Sequence, residues 1–157
     1  MGDGAGGHGD PEVDLTGHVV VVTGGSRGIG LGVARHLGRV GARVAVTGRD
    51  PERLDRASAE LDEIGAEHLT RSVDVRDREA AETLVADVVD RWGRVDGLVA
   101  NAQSFRPVTP LAEVDEAAMD VLFDTGPKGT LWSMQAVLPH MVAAGRGRIV
   151  TMAVAMV

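Results

Sequence analysis

At 157 residues the chain fits one domain, and 44% hydrophobic with 25% charged residues is the composition of a globular protein with a core, not of a disordered or fibrous chain. A formal charge of -7, with the arginines scattered among more numerous acids, argues against a nucleic-acid partner, which needs a concentrated basic surface. Cysteine is absent, which removes disulfides, a thiolate nucleophile and cysteine zinc sites and is consistent with a cytoplasmic setting; His8, His18, His36, His68 and His140 stand too far apart for a short-range metal site.

Residues 1–12 are glycine-rich and read as a flexible tail, with neither the basic nor the apolar region of a signal peptide. Gly2 lacks the downstream Ser or Thr of a myristoylation signal, since Gly6 stands in that place. No later apolar run reaches membrane-spanning length, so no membrane partner is expected.

From residue 13 to 157, short apolar runs alternate with segments of helical period, the pattern of a parallel sheet covered by helices. Val19 to Val22 is a β-branched run suited to a strand buried on both faces. A helix follows from Gly28, with Ile29, Val33, Leu37 and Val40 on one stripe, ending near Gly41. Val44 to Thr47 is the second strand. Asp50 and Pro51 open a helix carrying Leu54, Ala57, Leu61 and Ile64. Leu69 to Val73 forms the third strand, and Asp77 caps a helix whose apolar face is Leu84, Val85, Val88, Val89 and Trp92. Leu98 to Ala100 is the fourth strand. The next helical region, Asp115 to Ala144, contains Gly126 and Pro127, which predict a kink or two helices. Its second half places Leu131, Met134, Leu138 and Met141 on one face, and Arg148 to Ala153 reads as the fifth strand.

The turn between the first strand and first helix is Thr23, Gly24, Gly25, Ser26, Arg27, Gly28, Ile29, Gly30. In a chain with 21 glycines the bare spacing is a weak signal; the Thr and the position after an apolar run sharpen it. Such a turn lets backbone amides and a helix N-terminus approach a pyrophosphate, or else merely packs helix on sheet.

These residues resemble the T-G-x-x-x-G-I-G fingerprint of short-chain dehydrogenases/reductases, and the similarity runs along nearly the whole chain after the tail. Leu15 to Gly17 with the first strand resembles the family's opening. Asp74 and Val75 stand where the family has an Asp for the adenine amine, although a loop acid flanking a helix is the plainer reading of Asp74. Arg91 to Asp96 and Leu98 to Asn101 resemble the approach to the N-N-A-G motif, here Ala100, Asn101, Ala102, Gln103. Gln103 in place of glycine narrows space beside the cofactor, while Asn101 keeps the amide that stabilises the central strands. Leu138 to Met141 and Gly147 to Val150 extend the likeness.

The resemblance implies a three-layer Rossmann fold, strand order 3-2-1-4-5, and a dinucleotide bound by Gly24, Ser26, Arg27, Gly28, Ile29, Gly30, Asp74, Val75, Asn101 and Ala102. Arg27, and Arg49 after the second strand where NAD-selecting enzymes carry an acid, favour NADP over NAD, outweighing Asp50; as surface charges they would favour neither. The parent reaction would be hydride transfer between NADP(H) and a ketone or secondary alcohol. The chain itself contains no tyrosine, and its only lysine is Lys128. The family's Tyr-x-x-x-Lys would fall beyond Val157, its serine near Ala153 or Val154, and its Asn at Gly126; Thr151, the nearby hydroxyl, reads as a strand residue. These departures imply a catalytically incomplete domain, a fragment or early-terminated product of a reductase. A non-catalytic dinucleotide-binding or scaffold module is the alternative; a flavodoxin-like carrier is disfavoured by the scarcity of aromatic residues. The helix from Pro127 to Ala144 resembles the one that family members pair through, which implies a homodimer.

Overall fold

The run Val19 to Thr23 forms strand β1, and all five residues are buried, as a strand covered on both faces requires. Its valines alternate: Val19 and Val21 enter one core cluster, Val20 and Val22 the other. The computed structural model describes residues 13–104 and 110–153, so the tail at residues 1–12 and positions 154–157 lie outside the described residues. The other elements, in chain order, are α1 (Gly28–Arg39), β2 (Arg43–Gly48), α2 (Pro51–Glu63), β3 (His68–Ser72), α3 (Arg78–Trp92), β4 (Gly97–Ala100), α4 (Glu116–Phe123), α5 (Gly129–Ala143) and β5 (Arg148–Thr151). A 3₁₀ turn at Leu111–Glu113 precedes α4.

The strands make one parallel sheet in the order β3-β2-β1-β4-β5, the doubly wound order in which the direction of winding reverses beside β1. Ala34 of α1 and Leu54 and Leu61 of α2 pack on Val20, Val22, Val44 and Val46. On the opposite face, Leu84, Val85 and Val88 of α3 and Val137 and Met141 of α5 pack on Val19, Val21 and Leu98. This is the three-layer α/β arrangement read from the alternating pattern.

Asp50, Asp77 and Asp115 cap the helices that follow them, accepting from Arg53 N at 3.3 Å, Ala80 N at 3.1 Å and Ala118 N at 2.7 Å. Trp92, at the end of α3, donates its indole N–H to Glu67 Oε1 at 2.6 Å and so ties that helix to the α2–β3 turn. The Trp92 hydrogen bond, more than the Arg43 guanidinium, holds the Glu67 carboxyl below its usual range.

The structure sharpens one sequence expectation and corrects others. The interruption expected at Gly126 and Pro127 is present: two helices, α4 and α5, are joined there by a widened π-helical turn, Asp124–Lys128. A five-residue hydrogen-bond span absorbs the missing proline N–H. Along α5 the buried positions are Gly129, Ser133, Ala136, Val137 and Met141, whereas Leu131 and Leu138 are exposed: small residues face the sheet because the helix lies close to it. Ile29 likewise leaves the apolar stripe of α1 and is 61% exposed at the carboxyl edge of the sheet. Strand edges also shift: β3 runs His68–Ser72 and β5 stops at Thr151, where pairing with Ala100 ends.

Candidate dinucleotide site

At the carboxyl end of β1 the chain must turn into α1 while β4 passes alongside. Asn101 N and Ala102 N both donate to Thr23 Oγ1 at 3.1 Å, and Asn101 Nδ2 donates to the carbonyls of Thr23 and Gly24, each at 3.1 Å. One hydroxyl and one carboxamide thus satisfy the loose backbone groups of two strand ends.

Two glycines have no room for a side chain. A Cβ on Gly30 would fall 2.4 Å from the Gly24 carbonyl oxygen and 2.5 Å from Asn101 Nδ2. Gly24 has φ +65° and a Cβ there would meet Ala102 Cα at 2.8 Å, so it is excluded by both backbone angle and space. Helix α1 then begins with Arg27 as N-cap, makes no side-chain cap and carries no acid in its first turn. Its first amides are left for something other than a side chain.

These features open on a cleft of about 650 Å³ along the carboxyl edge of the sheet. Its wall contains Gly24, Ser26, Arg27, Gly28, Ile29, Gly30, Arg49, Asp74, Val75, Asn101 and Ala102, so the residues singled out in the sequence converge on one place. Ser26 packs against Gly48, where a Cβ would lie 2.5 Å from its Oγ. Val75 packs against Gly129, where a Cβ would lie 2.9 Å from its Cγ2, so α5 can close one side.

The charges in the wall differ in their partners. Asp50, besides capping α2, pairs with Arg53 at 2.9 Å, so its charge is already countered within the chain. Asp74 is gripped by Arg76, whose Nη2 lies 2.6 Å from Oδ2 and whose backbone N donates to Oδ1 at 3.0 Å. The Arg76 hydrogen bond, against the opposing effect of burial, holds the Asp74 carboxyl below its ordinary value. In the sequence the only signal for this grip is local, the Asp-x-Arg spacing of Asp74 and Arg76. Arg76 Nε also lies 3.0 Å from both oxygens, so backbone and guanidinium together hold the carboxylate from two sides. Arg49 meets no carboxylate among the described residues and instead donates to Ser104 Oγ at 3.3 Å.

Gly48, Arg53, Gln103, Ser104, Thr125 and Met152 also line the cleft. None of these is marked as a binding residue by a sequence motif, although Gln103, in place of the motif's glycine, narrows the cleft. The Gln103 carboxamide lies in the room left by Gly126, where a Cβ would come 3.2 Å from its Nε2. Thr151 lies in β5, paired with Ala100, and is absent from the described wall. Lys128 is bound to Asp124 at 2.6 Å.

The short chain dehydrogenase family profile matches residues 18–156, and the chain belongs to that family. It is 40% identical over 140 residues to a sorbitol dehydrogenase of Cereibacter sphaeroides, covering 88% of this chain and 53% of that protein. A crystal structure of a metagenomic short-chain oxidoreductase in complex with NADP superposes with a TM-score of 0.83 at 37% identity, covering 90% of this chain and 64% of that one. An NAD⁺-bound xylitol dehydrogenase superposes with a TM-score of 0.83 at 29% identity, covering 87% and 52%. The chain spans about half the length of the curated relatives it matches. Similar folds therefore carry either dinucleotide, and the choice rests on this chain's own residues.

Proposed function

We propose that the cleft binds NADP in preference to NAD, and that the chain is the dinucleotide-binding part of a dehydrogenase whose parent reaction moves a hydride between NADP(H) and a ketone or secondary alcohol. The observation that carries this is the pairing of an uncapped, acid-free helix N-terminus with Arg27 and Arg49, two cleft arginines that form no salt bridge among the described residues. The residues fit the group, since Gly24 and Gly30 leave room only for backbone at the turn.

The first amides of α1 would hold the pyrophosphate, as helix N-termini hold anions generally. Arg49 and Arg27 would take the 2′-phosphate by charge-assisted hydrogen bonds. Asp74 and Val75 would border the adenine, with Asn101 and Ala102 lining the remaining length. When bound, the nicotinamide supplies the hydride chemistry.

Among the described residues, the cleft wall supplies binding groups and holds neither a tyrosine nor a lysine. Tyrosine is absent, Lys128 is engaged by Asp124, and Gly126 offers the cleft no side chain. The second reading, a dinucleotide-binding module without turnover, draws on the same facts. Titration with NADP, followed by NADPH oxidation across a panel of ketones, tests both: binding without oxidation is expected, and oxidation by this chain alone would overturn the catalytic part.

Exposed Leu131, Leu138 and Val142 form a stripe on α5, which supports pairing with a second copy. Sedimentation of the protein and of Leu138→Glu checks this, with the variant shifted to monomer. Among the described residues no helix is long and apolar enough to cross a membrane, and the cysteine-free sequence supports a cytoplasmic setting.

A further inference from the structure

We propose that Ser104 and Thr125 are positioning residues that set the preference for a 2′-phosphate by holding Arg49 across the cleft; the inference rests on the NADP reading above. Arg49 follows β2 on one lip, and Ser104 follows β4 on the other. An exposed arginine loses rotamer freedom when it grips a phosphate, so a contact that already orders it favours binding. Arg49 Nη2 donates to Ser104 Oγ at 3.3 Å, which orders the side chain over the cleft.

Ser104 is itself fixed. Its backbone N donates to Thr125 Oγ1 at 3.1 Å, and that hydroxyl donates to the Val121 carbonyl at 2.7 Å. Thr125 is 3% exposed and sits in the π-helical turn between α4 and α5. A hydroxyl can donate once and accept besides, so Thr125 serves both partners without conflict. The result is a chain of hydrogen bonds from the helix, through Ser104, to the guanidinium.

The nature of the anchor matters as much as its place. Arg53 and Arg76, the neighbouring arginines, are held by Asp50 and Asp74, whose charges offset theirs. Ser104 is neutral, so it orients Arg49 without forming a salt bridge to it. A guanidinium has five N–H donors, and one bond to Ser104 leaves the others for a phosphate. The anchor is therefore built to act on ligands carrying the extra phosphate and not on those without it.

Calorimetric titration with adenosine 2′,5′-bisphosphate carrying a further 5′-phosphate (2′-phospho-ADP) and with ADP isolates this contribution from nicotinamide and turnover. Ser104→Ala should weaken 2′-phospho-ADP by roughly five- to tenfold more than ADP, the worth of one hydrogen bond. Thr125→Val should act in the same direction with a smaller change, and Ser104→Thr, which keeps the hydroxyl, should restore the preference. Combined with Arg49→Ala, Ser104→Ala should add nothing further. Thermal melting identifies variants that do not fold, and Thr125→Ser then replaces Thr125→Val, with the preference expected to persist.

Equal weakening of both ligands by Ser104→Ala, or full additivity with Arg49→Ala, overturns the proposal while leaving the NADP reading standing. A parent protein that binds both ligands alike overturns the two together.

Discussion

The two ends of the parallel sheet treat their polar groups in opposite ways. At the amino end, Asp96 accepts from Val19 N at 2.9 Å, is paired with Arg94 and lies 3.6 Å from Arg146, so charge and backbone donors are consumed within the chain. At the carboxyl end, Thr23 and Asn101 satisfy the strand termini, yet the first turn of α1 has no cap, and Arg27 and Arg49 have no acidic partner among the described residues. One end is closed upon itself and the other is left for a ligand. The helices repeat the lesson: α2, α3 and α4 each begin with an Asp cap and a first-turn Glu, and α1 with neither.

The contrast can be broken most severely at Gly30. In Gly30→Ala the new Cβ meets backbone rather than a movable side chain, at 2.4 Å from the Gly24 oxygen. Overpacking strain of about 1–3 kcal/mol, relieved by shifting the turn, corresponds to roughly ten- to hundredfold weaker NADP binding. Titration checks this, and unchanged affinity would show that the turn is not the binding element.

At the other end, Asp96→Asn should lower stability by about 1–3 kcal/mol, because a partly buried charge network loses its acid. NADP affinity should stay as it was. Burial would raise the Asp96 carboxyl, but the hydrogen bonds from Arg94 and Val19 N outweigh it and lower the value below 3.8. A lowered acid contributes stability that is present above its unfolded value and is lost as pH falls through the folded one. Denaturation followed below about pH 4 should therefore show an acid-induced loss that Asp96→Asn reduces; identical acid limbs would remove Asp96 from the account.

Two smaller changes sharpen the helix comparison. Arg27→Asp gives α1 the cap its neighbours have, which should raise stability by roughly 0.5–1 kcal/mol while weakening NADP by about tenfold. Asp77→Ala does the reverse for α3, costing about 1 kcal/mol of stability with no change in NADP affinity. Melting curves and titrations measured on both variants expose any failure of this opposition.

Much of the fold was legible because its signals are local. Four consecutive valines before Thr23 and the Asp caps at Asp50 and Asp77 each act within a few residues. The cleft was legible for a related reason: in this topology the β1–α1 turn and the ends of β2, β3 and β4 meet at one edge. What escaped depends on contacts between distant segments. Helical periodicity groups Leu131 and Leu138 with Met141, but it does not say which side of α5 the sheet will cover. Ser104 and Thr125 are unremarkable letters until the π-helical turn brings one hydroxyl to the other's backbone. The hold of Arg76 on Asp74 likewise shows only in the folded loop after β3.

The proposed selection of the phosphorylated dinucleotide depends on Arg49. Its most direct test is the ratio of Kd values for NAD and NADP in the protein and in Arg49→Asp. A charge-assisted hydrogen bond worth about 1.5–3 kcal/mol predicts that NADP binds at least tenfold more tightly than NAD, and that Arg49→Asp abolishes or inverts the ratio. Equal affinities in the protein, or a ratio that survives Arg49→Asp, would show that Arg49 does not select the 2′-phosphate.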